Sequence, residues 1–172
     1  MMVNSGAYKA KAKFKTPASD AAPVGSRAGA LRLIFPRSSP AQRLLFGKRR
    51  FQKILREVWA AHGQPAAEVE VNLVDTPAIC RLHQDYLGDP TPTDIITFDL
   101  GLSPEGSRLA ALYICIEVAE RYAQRYRVAP REEIRRLVIH GMLHLLGYDD
   151  HTPSARRRMR RQENQILKLV HE

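Results

Sequence analysis

Residues 134–151 read Ile134-Arg135-Arg136-Leu137-Val138-Ile139-His140-Gly141-Met142-Leu143-His144-Leu145-Leu146-Gly147-Tyr148-Asp149-Asp150-His151. Ile134, Leu137 and Val138 recur at helical spacing, which predicts a helix running into His140. Two histidines four apart on such a helix lie about 40° apart around its axis and roughly 6 Å along it. Both imidazoles then reach one ion at about 2.0–2.1 Å. Gly147 stands where a helix end wants a residue able to take positive φ. The chain can fold back after it and deliver a third ligand, Asp150 or His151. Three protein ligands leave a fourth tetrahedral position for water, which marks a catalytic zinc rather than a structural one.

A single pair of histidines four apart is often only a pair of core or surface side chains. Here three of the six histidines fall within twelve residues, beside a glycine and two aspartates, and that density favours metal binding. The stretch resembles the metzincin pattern His-Glu-x-x-His-x-x-Gly-x-x-His. It departs from it at Gly141, where the glutamate that serves zinc peptidases as general base is missing. The third-ligand position falls on Asp150, with His151 one residue later. A bound ion still acidifies its water and polarises a phosphoryl or carbonyl oxygen, so the chemistry need not be peptide hydrolysis.

At 172 residues the chain is long enough for one domain with a sizeable core and a tail. Its formal charge of +9 and pI near 9.9 favour a polyanionic partner such as nucleic acid. Cys80 and Cys115 lie far apart in apolar contexts without ligand spacing, so both are expected as reduced, buried small hydrophobes. No apolar run is long enough to span a membrane, and the N-terminus lacks an apolar signal core. A cytoplasmic protein without a membrane partner is expected.

Outward from the motif, residues 1–29 read as a basic extension. Lys9, Lys11, Lys13 and Lys15 alternate with small or aromatic residues, and Pro17, Pro23, Gly25 and Gly29 follow. Little there offsets the entropy of ordering, so disorder is expected. A solvated tail is the leading reading; an RNA-contacting arm and a targeting peptide are the alternatives. Residues 30–172 are expected to form the domain. Leu31–Phe35 predicts a strand, and Ile54, Leu55, Val58 and Trp59 the apolar stripe of a helix ending before Gly63. Glu68–Val74 alternates polar and apolar, as a half-buried strand does. Asp75 or Thr76 caps a helix that begins with Pro77 and runs to Gly88. Ile95–Phe98 and Leu109–Ile116 are the next strands, followed by helices over 117–127, from Pro130, and over 154–170. This order predicts an α+β domain, a mixed sheet of about four strands with helices packed on it and the metal-binding helix near the C-terminus.

The last helix carries Arg156, Arg157, Arg158, Arg160 and Arg161 near its start, with Met159, Ile166 and Leu169 expected to face the core. Cations at a helix N-terminus oppose the macrodipole. Placed beside the metal loop, such a cluster suits phosphate contacts; a solvated helix start is the plainer alternative.

Together, residues 140–150 and the segment Tyr86-Leu87-Gly88 through Pro92-Thr93-Asp94-Ile95-Ile96-Thr97-Phe98 resemble the YbeY family of bacterial metal-dependent endoribonucleases. The resemblance covers roughly residues 31–170. It implies a single-strand-selective endoribonuclease that acts in ribosomal RNA maturation at the 3′ end of small-subunit RNA and in ribosome quality control. It also implies one zinc ion, usually held by three histidines. The family's third histidine aligns with Asp150. Register therefore favours Asp150 as third ligand over His151, the more so because Thr152-Pro153-Ser154 then caps the last helix. A family arginine is replaced by Leu87, for which Arg81 or Arg125 are possible substitutes. A Gly-Asp pair is replaced by Ala110-Ala111.

The resulting site is His140, His144 and Asp150 or His151 on the metal, with His140 and His144 central to catalysis. Asp149 is expected either to orient a ligand histidine through its free ring nitrogen or to be a solvated loop carboxylate. Asp94 orders the loop beside the site or caps a turn; His83 is an ordinary helix residue. The partner expected is ribosomal RNA on the small ribosomal subunit. The alternatives are a metzincin-like zinc peptidase and a non-catalytic ribosome-associated metalloprotein.

Overall fold

The computed structural model describes residues 8–10, 30–35 and 49–171. In chain order the elements are β1 (Tyr8–Ala10), β2 (Leu31–Ile34), α1 (Arg49–Ala61), β3 (Ala67–Val74), α2 (Thr76–Leu87), β4 (Ile95–Leu102), β5 (Arg108–Cys115), α3 (Ile116–Tyr126), α4 (Pro130–Leu145) and α5 (Pro153–His171). The strands form one mixed sheet in the order β1-β4-β5-β3-β2. Only β4 and β5 pair antiparallel; β1 with β4, β5 with β3 and β3 with β2 are parallel. Four of these strands are the expected ones. The fifth, β1, adds three residues from within the extension, and the rest of residues 1–29 lies outside the described residues.

Period-two alternation divides the core between the two faces of the sheet. Ile95 of β4 and Leu112 and Ile114 of β5 point to one face, where α1, α4 and α5 cover them. Ile96, Phe98, Ala111 and Cys115 point to the other, against Ile79 of α2 and Val118 of α3. Helix α4 is buried along nearly its whole length, from Glu133 to Leu145, because the sheet lies on one side of it and α3 and α5 flank it. Gly141 permits this contact. A Cβ there would stand 2.7 Å from Leu112 Cδ2, 3.0 Å from Thr97 Oγ1 and 3.1 Å from Ile95 Cδ1.

Local signals fix the ends of the elements. Asp75 caps α2 by accepting the Ala78 N–H at 2.9 Å, and Gly88 ends that helix at φ 73°. Thr152 Oγ1 accepts the Ala155 N–H at 3.1 Å and starts α5, with Pro153 at its first position. At the end of α4, Gly147 takes φ 94° and the Tyr148 N–H reaches back to the Leu143 carbonyl at 3.0 Å. Arg108 of β5 closes the same helix end. It donates to the Leu145 carbonyl and to Asp99 of β4, each at 2.6 Å, so the C-terminus of α4 is tied to the sheet. Cys80 is half-buried and Cys115 buried, and both are free thiols. No helix among the described residues is long and apolar enough to cross a membrane.

Candidate metal centre

Helix α4 carries His140 and His144 one turn apart, and the loop after Gly147 returns Asp150 to them. Ligand atoms of these three buried residues all lie within 4.8 Å of one another. Nε2 of His140 and Nε2 of His144 face each other at 3.1 Å. Asp150 Oδ2 is 3.8 Å from the first and Oδ1 is 3.9 Å from the second. Tetrahedral ligands at zinc distances stand about 3.4 Å from one another. The three atoms bracket that spacing.

Hydrogen bonding sets the polarity of both rings. His140 Nδ1 lies 2.7 Å from Glu163 Oε1, and His144 Nδ1 lies 3.1 Å from the Tyr148 carbonyl. A carbonyl and an ionised carboxylate only accept, so both Nδ1 atoms carry hydrogen. In the neutral rings both Nε2 atoms therefore present lone pairs to each other and to the Asp150 carboxylate. Three electron-rich donors converging in a buried space require a proton or a cation between them. The donor set, two imidazoles and a carboxylate, suits a divalent transition metal such as zinc. Without the metal, a proton serves the same role. Burial opposes charge on His140, but the bond to Glu163 and the charges of Glu163, Asp94 and Asp150 outweigh it and raise the His140 pKa. Burial likewise opposes charge on Glu163, yet His140 and Arg136 hold its pKa below the ordinary value.

Around this centre, the loop is fastened by its own side chains. Asp149 is exposed, and its Oδ1 accepts the N–H groups of Asp150 at 2.8 Å and His151 at 3.2 Å. It thus shapes the turn. The free ring nitrogen it was expected to meet is instead taken by Glu163 on His140 and by the Tyr148 carbonyl on His144. The His151 side chain is 72 % exposed and lies against Asp149 at 3.5 Å. Asp149, Asp150 and His151 also come within 4.8 Å of one another, but two of these three face solvent and only Asp150 belongs to both groups. Arg156 of α5 donates to the carbonyls of Asp150 at 3.0 Å and His151 at 3.1 Å, holding the loop from below.

Asp94 is buried at the start of β4. It accepts from the Ile95 N–H at 2.9 Å and from Thr93 Oγ1 at 3.3 Å. Burial raises its pKa and the neighbouring His140 charge works in the opposite direction. Leu87 is half-buried in the apolar cluster between α2 and the sheet. His83 is buried, with Nδ1 2.7 Å from the Thr91 carbonyl, so it pins the loop after α2. Arg157, Arg158, Arg160 and Arg161 are exposed, whereas Arg156 is half-buried.

Two residues of the site escaped the sequence reading. Glu163 carries a signal in hindsight, since it occupies the buried stripe of α5 with Ala155, Met159, Ile166, Leu167 and Val170. A charged residue at a core position of an amphipathic helix asks for a buried partner. His62, whose Nε2 lies 3.3 Å from the Tyr148 hydroxyl, carries no such signal because that contact is made only by the tertiary fold.

A family model described as Endoribonuclease YbeY matches residues 42–171. This chain belongs to the endoribonuclease YbeY family. Among the YbeY proteins it resembles, one from Protochlamydia amoebophila is 36% identical over 120 residues, covering 69% of this chain and 80% of that protein. Another, from Chlorobium luteolum, is 34% identical over 118 residues, covering 69% of this chain and 85% of the other. Both carry the name Endoribonuclease YbeY. A solution structure of a Thermotoga maritima protein shares the fold at a TM-score of 0.55 and 26% identity, over 81% of this chain and 88% of that one.

Proposed function

We propose that this protein is a zinc-dependent, single-strand-specific endoribonuclease that matures the 3′ end of small-subunit ribosomal RNA and contributes to ribosome quality control in the cytoplasm. The observation that carries the reading is the buried convergence of His140 Nε2, His144 Nε2 and the Asp150 carboxylate in a chain of the YbeY family. His140, His144 and Asp150 would hold one ion. A zinc ion bound there supplies an acidified water and a Lewis acid for a phosphoryl oxygen. Glu163 and the Tyr148 carbonyl keep both Nε2 lone pairs turned inward. Asp149 and Arg156 hold the loop that carries Asp150. Arg157, Arg158, Arg160 and Arg161, exposed on the helix that starts two residues after His151, bind the phosphate backbone of the RNA. The ribosomal substrate, the zinc and the quality-control role rest on the family resemblance.

The peptidase alternative fares worse. Its general base would have to stand at position 141, which is pressed between Ile95, Thr97 and Leu112 of the sheet. The non-catalytic alternative draws on Leu87, an apolar side chain packed into the core where the family carries a cation.

The test is zinc content measured together with cleavage of single-stranded RNA for wild type, His144→Ala, Asp150→Ala and His151→Ala. Loss of both properties in the first two variants, with His151→Ala largely intact, is expected. Loss in His151→Ala with Asp150→Ala spared would move the third ligand by one residue. Undiminished cleavage by a zinc-free His144→Ala protein would end the metal-nuclease reading.

A further inference from the structure

Helix α5 spends a core position on a carboxylate. Glu163 lies on the buried stripe between Met159 and Ile166, and its side chain is 8 % exposed. A carboxylate held that far from water loses several kcal/mol of hydration unless it is paired and hydrogen-bonded. It has two partners, both on α4: His140 Nδ1 at 2.7 Å on Oε1 and Arg136 Nη1 at 3.3 Å on Oε2. Arg136 is itself held by Asn164 Oδ1 at 2.9 Å and lies 4.0 Å from Glu133 Oε2. Glu133, Arg136, His140 and His144 recur at i, i+3, i+7 and i+11, so they form one polar seam along α4 that ends at the metal cluster.

Resting on the metal-binding reading above, we infer that Glu163, braced by Arg136, is a positioning residue that sets how tightly this cluster holds its ion. An apolar residue would tie α5 to α4 at least as well. What only an acceptor at this position does is hold the Nδ1–H of His140, which fixes the ring's tautomer and rotation and turns Nε2 toward His144 and Asp150. An ionised acceptor also makes the imidazole a better donor and contributes negative charge close to the cation. The second histidine has a neutral counterpart in the Tyr148 carbonyl, so Glu163 is the charged member of the outer shell. Arg136 keeps the carboxylate oriented and ionised.

The experiment measures zinc affinity by competition with a chromophoric chelator, and the melting temperature of the metal-free protein, for wild type, Glu163→Gln, Glu163→Leu and Arg136→Gln. Glu163→Gln keeps the shape and an acceptor oxygen but loses the charge. Its zinc affinity is expected to fall about ten- to a hundredfold. Glu163→Leu falls further while its metal-free melting temperature holds or rises, because an apolar side chain suits that stripe. Arg136→Gln shows the smallest loss, since the carboxylate remains. Zinc affinities of both Glu163 variants within twofold of wild type would overturn the inference. So would losses of affinity that only track losses of metal-free stability, which is what a helix brace alone produces. A wild-type protein that takes up no zinc would overturn the metal reading itself, and the inference with it.

Discussion

Gly141→Ala tests the packing that aims both histidines. In an open mid-helix position this substitution stabilises a protein by about 1 kcal/mol, because alanine is the better helix former. Position 141 is not open. The added carbon would stand 2.7 Å from Leu112 Cδ2, whereas comfortable carbon contacts lie at about 3.5–4.0 Å. Thr97 Oγ1 and Ile95 Cδ1 are nearly as close, at 3.0 and 3.1 Å. The three side chains belong to the sheet's fully packed interior, with Leu112 at 0 %, Ile95 at 1 % and Thr97 at 2 % exposure, so none can simply swing away. Overpacking of this kind costs roughly 1–3 kcal/mol. Set against the helix gain of about 1 kcal/mol, the net is a destabilisation of about 0–2 kcal/mol. For a chain of this size each kcal/mol lowers the melting temperature by roughly 2–4 °C. Chemical and thermal unfolding of the metal-free protein reads this directly. The sign decides the matter: a melting temperature raised by a few degrees would mean that α4 does not press on β4 and β5 at this point. Gly141→Glu, which completes the metzincin pattern, is expected to destabilise far more and to gain no casein cleavage, since the carboxylate would be driven among Ile95, Thr97 and Leu112.

Two further perturbations probe charge. Replacing Arg157, Arg158, Arg160 and Arg161 with glutamine should weaken binding of single-stranded RNA and flatten its salt dependence. The slope of log K against log salt falls by about 0.7 for each phosphate that the protein no longer neutralises. Fluorescence anisotropy with metal-free protein and uncleaved RNA measures it, and an unchanged slope would assign the arginines to a merely solvated helix start. The His140–Glu163 pair predicts a maximum in the stability of the metal-free protein against pH. His140 has a folded pKa raised above its ordinary 6.5, so its contribution is complete below that value and is lost as pH rises through the folded pKa. Glu163 has a folded pKa lowered below its ordinary 4.5, so its contribution is present above 4.5 and is lost as pH falls through the folded pKa. The pair therefore contributes most between about pH 4.5 and 6.5. Urea denaturation across pH in the presence of a chelator reads this, and Glu163→Gln should flatten the curve in that window. A curve identical to wild type would refute the coupling.

Much of the fold was legible because its signals are local. The alternation in β3, the Asp75 cap with Pro77, the glycine after α2 and the Pro130 start of α4 each depend on neighbours in sequence. Strand β4 runs on to Leu102, beyond the expected Phe98, because Asp99-Leu100-Gly101 hides a bulge: Asp99 pairs with Ala110 and Gly101 with Leu109. Antiparallel pairing with β5 carries the strand through residues that by themselves read as a turn. The face of α5 was misread for a related reason. Taking Glu163 as a surface residue leaves Met159, Ile166 and Leu169 as the apolar set, yet Leu169 is 48 % exposed while Leu167 and Val170 are buried. Relative to Met159, the positions 163, 166, 167 and 170 fall within about 80° on one side, and 169 falls off the other. Once the carboxylate is admitted to the core, the stripe closes.

The third ligand shows how a loop can settle what a motif leaves open. Asp150 and His151 are adjacent, and on chemistry alone either completes the site. The loop separates them through its backbone. Asp149 accepts both of their N–H groups, and Arg156 takes both of their carbonyls, so the two peptides are held in one fixed turn. Successive side chains on such a turn diverge. One is carried inward to within 3.9 Å of both histidines, and the other outward to 72 % exposure. The start of α5 enforces the choice. Thr152 caps that helix, and Arg156 must lie one turn into it to reach back under the loop. Sliding the loop by one residue to bring His151 in would pull Thr152 off its cap and Arg156 off both carbonyls. The arginine nearest the metal loop thus differs in role from the four that follow. Its charge is spent on backbone carbonyls, while theirs is left facing solvent beside the site.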